Sequence, residues 1–360
     1  MKIHILYNFK EGPWGGGNQF LKALRKYFTN KGCYAKSPIE ADVILFNSHH
    51  ELMPILKLKM KYPEKIFVQR VDGPIFYTRG NDMETDNIIF DFNQLIADGT
   101  IFQSKWSRNK SYERGMKQNN FETVIMNAPE PEIFYPQKNK KLEKGAKIKL
   151  IATSWAPNIR KGFDIYKFLD DNLDFNRYEM TFVGRSPVKF ERIKYVPPQP
   201  SERLAEILRA HDIFVIASRN DPCSNALIEA LHCGLPAVAR NDGGHPEIIG
   251  KAGITFNGED DVLDAINIVS ENLNSYKEAI SLPEMNAVGK AYYDFCRCIY
   301  DATKNKEYVP KKYGTSKYYR LMAKVYWWRC VILYSGTKDG ISRRWRKVWK
   351  KERMGGRGYC

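Results

Sequence analysis

Two adjoining stretches decide the fold: Asp212-Ile-Phe-Val-Ile-Ala-Ser218 and Asn220-Asp-Pro-Cys-Ser-Asn-Ala-Leu-Ile-Glu229. The first is a short β-branched apolar run, which is typical of a buried parallel strand. In the second, Pro222 marks a turn, and apolar residues then recur at helical spacing until Gly234 ends the helix. The sequence therefore predicts a strand, a tight turn and a helix in immediate succession.

The start of this helix is a candidate anion site. Ser224 is a suitable N-cap, and the unpaired amides of the first turn, from Cys223 to Ala226, favour a diphosphate. Asp221 lies just before the turn, and Glu229 lies about two helical turns further on. Two carboxylates would therefore bracket a bound diphosphate. A plainer interpretation remains open, in which Asp221 caps the helix and Glu229 is a solvated helix residue.

Two motifs after the turn carry a family resemblance. Glu229-Ala-Leu-His-Cys-Gly-Leu-Pro236 and Gly243-Gly-His-Pro-Glu247 are similar to the signature of the retaining glycosyltransferases of family 4, which have the two-domain GT-B fold. The resemblance assigns Asp221 to hydroxyls of the transferred sugar and Glu229 to the nucleotide ribose. It assigns the diphosphate to the backbone of Cys223, Ser224 and Asn225. The family usually has Glu at position 221. The shorter Asp side chain of this sequence withdraws the carboxylate by about 1.5 Å, so the identity of the transferred sugar cannot be inferred from relatives.

A second strand and helix contribute to the same site. The strand Lys147-Ile-Lys-Leu-Ile-Ala-Thr-Ser154 precedes Lys161-Gly-Phe-Asp164, which opens a helix. The resemblance assigns Lys161 to the diphosphate, where an ammonium can neutralise the departing nucleotide. Many relatives have an Arg six residues earlier, where this chain has Trp155. Arg160 or Arg185 could substitute, although both could equally be ordinary surface arginines.

Glycines near the amino terminus form a further candidate element. The segment Gly12-Pro-Trp-Gly-Gly-Gly-Asn18 follows a first strand and is predicted to be a flexible loop before a helix. Gly16 and Gly17 would let the backbone approach the donor closely, although a plain turn explains them as well. The segment lacks both the dinucleotide fingerprint and the P-loop motif, so neither NAD nor ATP hydrolysis is favoured.

Asp72 is the acceptor-side candidate. It follows the predicted strand Lys65-Ile-Phe-Val-Gln69, and ligands gather at the carboxyl edge of open α/β sheets. Asp72 could hold an acceptor hydroxyl, but an Asp before Gly-Pro also commonly forms a turn. His49 and His50 follow another predicted strand and could reach the same cleft, but no spacing ties them to a metal.

Alternating strands and helices extend to about residue 300, which predicts an α/β protein with parallel sheets covered by helices. A Pro-rich stretch from Asn127 to Pro136 and the Lys-rich residues after it predict a domain boundary. With the resemblance, the expectation is two Rossmann-like domains facing across a cleft (GT-B), followed by a basic aromatic helical tail. Residues 1–140 would be the acceptor-side domain, 146–286 the nucleotide-sugar-binding domain, 287–305 a crossover helix and 306–360 the tail.

The charge is concentrated in the tail. The chain carries 57 Lys and Arg against 41 Asp and Glu, a net charge of +16. Residues 306–360 hold 16 basic and 3 acidic side chains, net +13, so the first 305 residues are only 41 minus 38, or +3. The tail also contains four Trp and seven Tyr, and Ile341, Trp345, Val348 and Trp349 form a narrow apolar helical stripe. This pattern favours an anionic membrane surface over nucleic acid as the binding partner of the tail. The third alternative is a solvated or partly disordered tail without a partner.

Seven cysteines without zinc-like or disulfide-framework spacing fit a reducing cytosol. The first strand begins at the second residue with no secretory segment before it. We therefore expect a cytoplasmic protein that lies peripherally at the inner face of a membrane.

The predicted function is transfer of a sugar from a nucleoside-diphosphate sugar to a hydroxyl of a glycan or lipid-linked glycan. Retention is implied by the resemblance alone. No cofactor is expected and no metal ligands are identified, because helix amides and Lys161 can stabilise leaving-group charge without an essential divalent ion. The alternatives are a sugar-nucleotide epimerase on the same fold and a non-catalytic protein that binds sugar nucleotides or nucleic acid.

Overall fold

The computed structural model describes residues 1–12, 16–80, 82–137 and 145–332. Its amino-terminal domain contains a five-stranded parallel sheet with the strands in sequential order. The strands are β1 Ile3–Leu6, β2 Val43–Asn47, β3 Ile66–Val71, β4 Gly99–Phe102 and β5 Phe121–Val124. The helices of this domain are α1 Gly16–Asn30, α2 Leu52–Lys61, a π-helical turn Phe76–Gly80, α3 Met83–Leu95 and α4 Lys105–Glu113.

The carboxyl-terminal domain contains a six-stranded parallel sheet in the order β11-β10-β9-β6-β7-β8. These strands are β6 Ile148–Ser154, β7 Tyr178–Gly184, β8 Lys194–Val196, β9 Ile213–Ile216, β10 Ala237–Arg240 and β11 Gly253–Phe256. The helical elements of this domain are a 3₁₀ turn Ile159–Lys161, α5 Phe163–Asn172, α6 Ser201–Arg209, α7 Asn225–His232, α8 His245–Ile249, α9 Glu259–Glu271 and α10 Leu273–Glu278. They are followed by α11 Met285–Lys304. A further helix, α12, covers residues 315–332.

Burial explains the strand sequences. Val43–Asn47 and Ile213–Ile216 are buried along their whole length, because helices cover both faces of each sheet. The strand order of the second sheet reverses between β6 and β9, which are hydrogen-bonded neighbours. Their carboxyl ends therefore flank a topological switch point, which is where ligands bind in such sheets.

The last two helices return to the amino-terminal domain. Met285, Val288, Tyr292 and Cys296 of α11 lie in the same apolar core as α1 and β1. Leu321 of α12, like Val325, is buried in the core on the other face of this sheet. The chain thus crosses the domain boundary a second time near residue 285.

The predicted fold class, two Rossmann-like domains with parallel sheets, is confirmed by this topology. One local expectation is wrong: the predicted loop through Asn18 is already helical from Gly16, because the Asn18 side chain exchanges hydrogen bonds with the Lys10 backbone and holds the first turn in place. Residues 13–15, residues 138–144 of the predicted domain boundary and the predicted stripe from Ile341 to Trp349 lie outside the described residues. None of the helices described is both long and apolar enough to cross a bilayer.

Candidate donor site

The amino terminus of helix α7 forms the centre of the site. Strand β9 ends at Ile216, and the Ser224 hydroxyl then caps α7 by accepting a hydrogen bond from the Leu227 amide at 3.3 Å. The amides of Asn225 and Ala226 have no acceptor within the described parts of the chain. Free amides and the helix dipole are the features that favour binding of a phosphate group, so this helix start remains the candidate phosphate site.

Lys161 and Asp221 meet beside this helix start. The Lys161 ammonium lies 2.9 Å from the Asp221 carboxylate, and both side chains are largely shielded from solvent. Burial alone would raise the pKa of Asp221, but the Lys161 charge, His245 and a backbone hydrogen bond from Cys223 hold this pKa below its usual value. The pair therefore presents a fixed cation and a fixed anion at one end of the phosphate site.

Glu229 lies two turns along α7 and has a different environment. Its carboxylate makes no hydrogen bond or ion pair with any residue in the described ranges, and burial raises its pKa to about 8. A half-buried acid without a partner is costly unless a ligand supplies donors. The hydroxyls of a bound ribose would supply them.

A continuous trough connects the two acids. Its phosphate end is lined by Lys161, Asp221 and the Ser224 turn, and its other end by Glu229 and Gln199. Shared walls between the ends are Gly16, Thr153, Ser154, Trp155, Asn225 and Ala226. The trough therefore has an ion pair and free amides at one end and an unpaired acid at the other, which is the polarity pattern of a ligand with charge at one end and hydroxyls at the other.

Gly16 enters this trough from the amino-terminal domain. A β-carbon at Gly16 would lie 2.3 Å from the side-chain nitrogen and 2.7 Å from the β-carbon of Asn225, so the absence of a side chain at Gly16 lets the starts of α1 and α7 approach this closely. Gly17 is in open space and does not line the trough.

Gly243 supports the backbone of Asp221. It has a φ of +64°, and a β-carbon there would lie 2.3 Å from the Asp221 carbonyl oxygen. We expect Gly243→Ala to lower the free energy of unfolding by about 2–5 kcal/mol, since left-handed strain and overpacking add. The matched control is Gly32→Ala, where φ is +66° and nothing lies within 4 Å of the added carbon. Chemical denaturation of both variants measures the difference, and equal losses would show that the contact at Asp221 is unimportant.

The sequence candidate Asp72 is already engaged. Its carboxylate accepts hydrogen bonds from Arg70, from Asn47 at 3.0 Å and from Gln103 at 2.6 Å. Although burial opposes its ionisation, the Arg70 charge and nearby histidines hold the pKa of Asp72 below its usual value. About a third of the side chain remains exposed, so Asp72 is an ionised, rigidly held group at the edge of the cleft.

Asn127 joins the acceptor-side network to the donor site, and this residue was not predicted. Its side chain accepts a hydrogen bond from Arg70 at 2.9 Å and donates to Gln103 at 2.9 Å and to Asn225 at 3.0 Å. The available signal was its position three residues after β5, at the carboxyl edge of the sheet. Because Pro-rich residues follow Asn127, this segment was instead interpreted as the boundary between the two domains.

A second unpredicted contact joins the domains at helix α4. The Glu247 carboxylate accepts hydrogen bonds from the amides of Lys105 at 2.8 Å and Trp106 at 2.7 Å, and so caps a helix of the other domain. The Ser104 hydroxyl donates to the Pro222 carbonyl at 2.6 Å. The turn at Pro222, directly after Asp221, and helix α8 are therefore held against the amino-terminal domain.

The remaining candidates occupy the rim of the trough. Arg185 is exposed, and its guanidinium lies 4.8 Å from the centre of the Trp155 ring, so a cation stands beside the position where many relatives have arginine. The Cys223 thiol lines the phosphate end, and burial raises its pKa to about 12. In the residues that the structure describes, no three His, Cys, Asp or Glu side chains converge as a candidate metal site.

Sequence comparison matches one segment of the carboxyl-terminal domain, which includes Asp221 and Glu229. Residues 170–272 match the model of the family "Glycosyl transferases group 1". The D-inositol 3-phosphate glycosyltransferase of Corynebacterium jeikeium is 36% identical over 70 residues, which are 19% of this chain and 17% of that protein. The sulfoquinovosyl transferase SQD2 of Arabidopsis thaliana is 30% identical over 115 residues, 28% of this chain and 22% of that protein. The matches thus span about a fifth of the length of these curated relatives.

Structural similarity extends over most of the chain. Sucrose-phosphate synthase from Thermosynechococcus elongatus superimposes with a TM-score of 0.64 at 13% identity, covering 84% of this chain and 100% of that one. Anabaena HepE, solved in complex with UDP-glucose, gives 0.61 at 14% identity and covers 84% and 99%. The protein therefore has the GT-B fold, and residues 170–272 of its carboxyl-terminal domain carry the sequence pattern of the group 1 glycosyl transferases.

Proposed function

We propose that the protein transfers a sugar from a nucleoside-diphosphate sugar to an acceptor hydroxyl, with retention of the anomeric configuration. One observation carries the proposal: the unpaired amides of α7 and the Lys161 cation lie at one end of a trough whose other end holds the unpartnered Glu229. A diphosphate and a ribose within one molecule would satisfy both ends.

In the proposed reaction, the bond between the anomeric carbon and the diphosphate oxygen breaks while a bond from the acceptor oxygen forms. Lys161 and the α7 amides stabilise the negative charge that develops on the departing diphosphate. Without a nucleophile from the protein, retention needs the acceptor to approach from the face that the diphosphate leaves, where a departing phosphate oxygen can take the acceptor proton. Asp221, held by Lys161, would orient sugar hydroxyls.

The two-domain arrangement supports a bimolecular transfer. Asp72 lies at the carboxyl edge of the amino-terminal sheet. A series of hydrogen bonds through Arg70, Asn127 and Asn225 connects its carboxylate to the start of α7. Closing the cleft excludes water, which competes with the acceptor as a nucleophile. Asp72 is therefore proposed as a group that holds the acceptor, and its ionised state suits a hydrogen bond from a hydroxyl.

The test is a panel of UDP-, GDP- and ADP-sugars, scored first for thermal stabilisation and then for nucleotide release with and without acceptor. UDP-sugars are the first choice because HepE was solved with UDP-glucose. Acceptor-dependent release with an unchanged anomeric configuration by NMR supports the proposal. An isomerised donor without acceptor would favour an epimerase, and no response to any donor would overturn the donor site.

The raised pKa of Glu229 predicts a pH effect on the ligand-free protein. Its pKa is about 8 in the folded protein, against an ordinary value of 4.5, so between these values the folded state binds the additional proton. Stability contributed by this group is therefore lost as the pH rises towards 8, with a slope of at most about 1.4 kcal/mol per pH unit. Urea unfolding from pH 5 to pH 8 measures the slope, and Glu229→Gln should flatten it; an identical slope in Glu229→Gln would contradict the assignment.

A further inference from the structure

Helix α12 is an integral part of the amino-terminal domain. Leu321 and Val325 are buried, the Trp328 indole donates a hydrogen bond to the Thr85 hydroxyl at 2.9 Å, and Lys324 forms an ion pair with Asp91. The position of its outer face relative to the cleft is therefore fixed by packing.

The outer face of α12 combines exposed aromatic rings with positive charge. Tyr319, Tyr326 and Trp327 are 57%, 53% and 65% exposed, and at spacings of seven and eight residues they share one side of the helix. Arg320 and Arg329 are exposed on the same helix. No acidic residue occurs between positions 308 and 338, while seven Lys and Arg do.

The sequence beyond α12 continues this charge. Residues 333–360 contain nine Lys and Arg and two acidic residues, a difference of +7. Aromatic rings next to basic side chains are typical of helices that lie in a membrane interface. There the rings insert at the level of the lipid headgroups, and the cations attract anionic lipids. Charge complementarity therefore favours an anionic bilayer as the partner of this face.

The inner face of α12 lies beside the acceptor edge of the cleft. The Trp328 ring is 5.9 Å from the ring of His49, which stacks on His50 at 4.6 Å. Both histidines follow strand β2, at the same sheet edge as Asp72. A surface bound by the outer face of α12 would thus lie about one helix diameter, roughly 10 Å, from the sheet edge that carries these histidines.

We propose that the outer face of α12, defined by Tyr319, Arg320, Tyr326, Trp327 and Arg329, docks on an anionic bilayer and that the acceptor hydroxyl belongs to a membrane lipid or lipid-linked glycan. The docking step is independent of the enzymatic activity, whereas the acceptor assignment rests on the proposed function. Docking on this face would hold a bilayer next to the domain that carries Asp72, the proposed acceptor-holding group.

The test uses the full chain and sedimentation with two kinds of vesicle, pure phosphatidylcholine and equal parts of phosphatidylcholine and phosphatidylglycerol, at physiological ionic strength. We expect binding to the anionic vesicles only. Arg320→Gln with Arg329→Gln should weaken that binding about thirtyfold, and Tyr326→Ser with Trp327→Ser by at least about tenfold. Ile39→Ser, which removes a 61% exposed apolar side chain elsewhere on the same domain, is the matched control.

Thermal stabilisation by UDP-sugars, measured on the same variants, reports donor binding separately from docking. Unchanged donor binding together with lost vesicle binding and lost transfer to vesicle-borne lipid supports the proposal. Equal binding to both vesicle types, or variants that bind vesicles like the wild type, would overturn docking. Stronger binding to an oligonucleotide than to anionic vesicles would also overturn it. So would a dimer of the wild-type chain that Tyr326→Ser with Trp327→Ser disrupts. Transfer to soluble glycans that is faster than transfer to vesicle-borne lipid would overturn the acceptor assignment while docking stands.

Discussion

Lys161→Ala is expected to lower kcat by about 10²–10³-fold, because one preorganised cation at a developing anion contributes roughly that factor. The Lys161 ammonium lies beside the unpaired amides of α7, where the proposed diphosphate departs. The measurement is acceptor-dependent nucleotide release at saturating donor. Lys189→Ala, which removes an 87% exposed lysine of the same domain, should retain wild-type kcat.

The Lys161 variant also leaves Asp221 without its partner at 2.9 Å, so part of the loss could come from a stranded carboxylate near the diphosphate. The double variant Lys161→Ala with Asp221→Asn separates the two effects. We expect it to remain slow, since the cation is still missing. Recovery of kcat to within threefold of wild type would show that Lys161 only neutralises Asp221.

Glu229→Ala should raise the Kd for the sugar nucleotide by about 10–100-fold. The loss of hydrogen bonds between a carboxylate and the two ribose hydroxyls corresponds to about 1.5–3 kcal/mol. Titration calorimetry with UDP and with a UDP-sugar measures the change. Glu229→Gln, which keeps the shape and one acceptor oxygen, should lie between the wild type and Glu229→Ala.

Inorganic pyrophosphate provides the internal control, because it contains the charged group but no ribose. Its affinity should be unaffected by Glu229→Ala and reduced by Lys161→Ala. Equal losses of pyrophosphate and UDP affinity in Glu229→Ala would mean that Glu229 acts through the structure of α7 and not through ribose contact.

Much of the fold could be predicted because burial leaves a direct pattern in the sequence. Strands such as Ile213–Ile216 are covered on both faces and are therefore continuously apolar. The α7 start could also be predicted, since Ser224 and the turn at Pro222 are local signals, and the observed Ser224 cap agrees with them. The GT-B arrangement came from the motif resemblance, which the strand order and structural neighbours bear out.

The rest of the site depends on contacts between residues far apart in the chain. Asn127 and Asn225 are 98 positions apart, and Glu247 is 142 positions from Lys105. No local periodicity reports such pairs. The hydrogen bonds of Asp72 could not be predicted for the same reason: its partners are Asn47, at the end of β2, and Gln103, directly after β4. The proposed roles of Asp221, Lys161 and Glu229 remain predictions for the variants above.

The contact between Glu247 and helix α4 has a consequence for product release. Three hydrogen bonds, from Ser104, Lys105 and Trp106, hold this side of the two domains together. Water can replace each of them, so their combined net stabilisation is only a few kcal/mol. Opening this side of the cleft by a rigid-body hinge motion would therefore cost little at these three bonds and would leave both sheets intact, which gives a spent nucleoside diphosphate a route out.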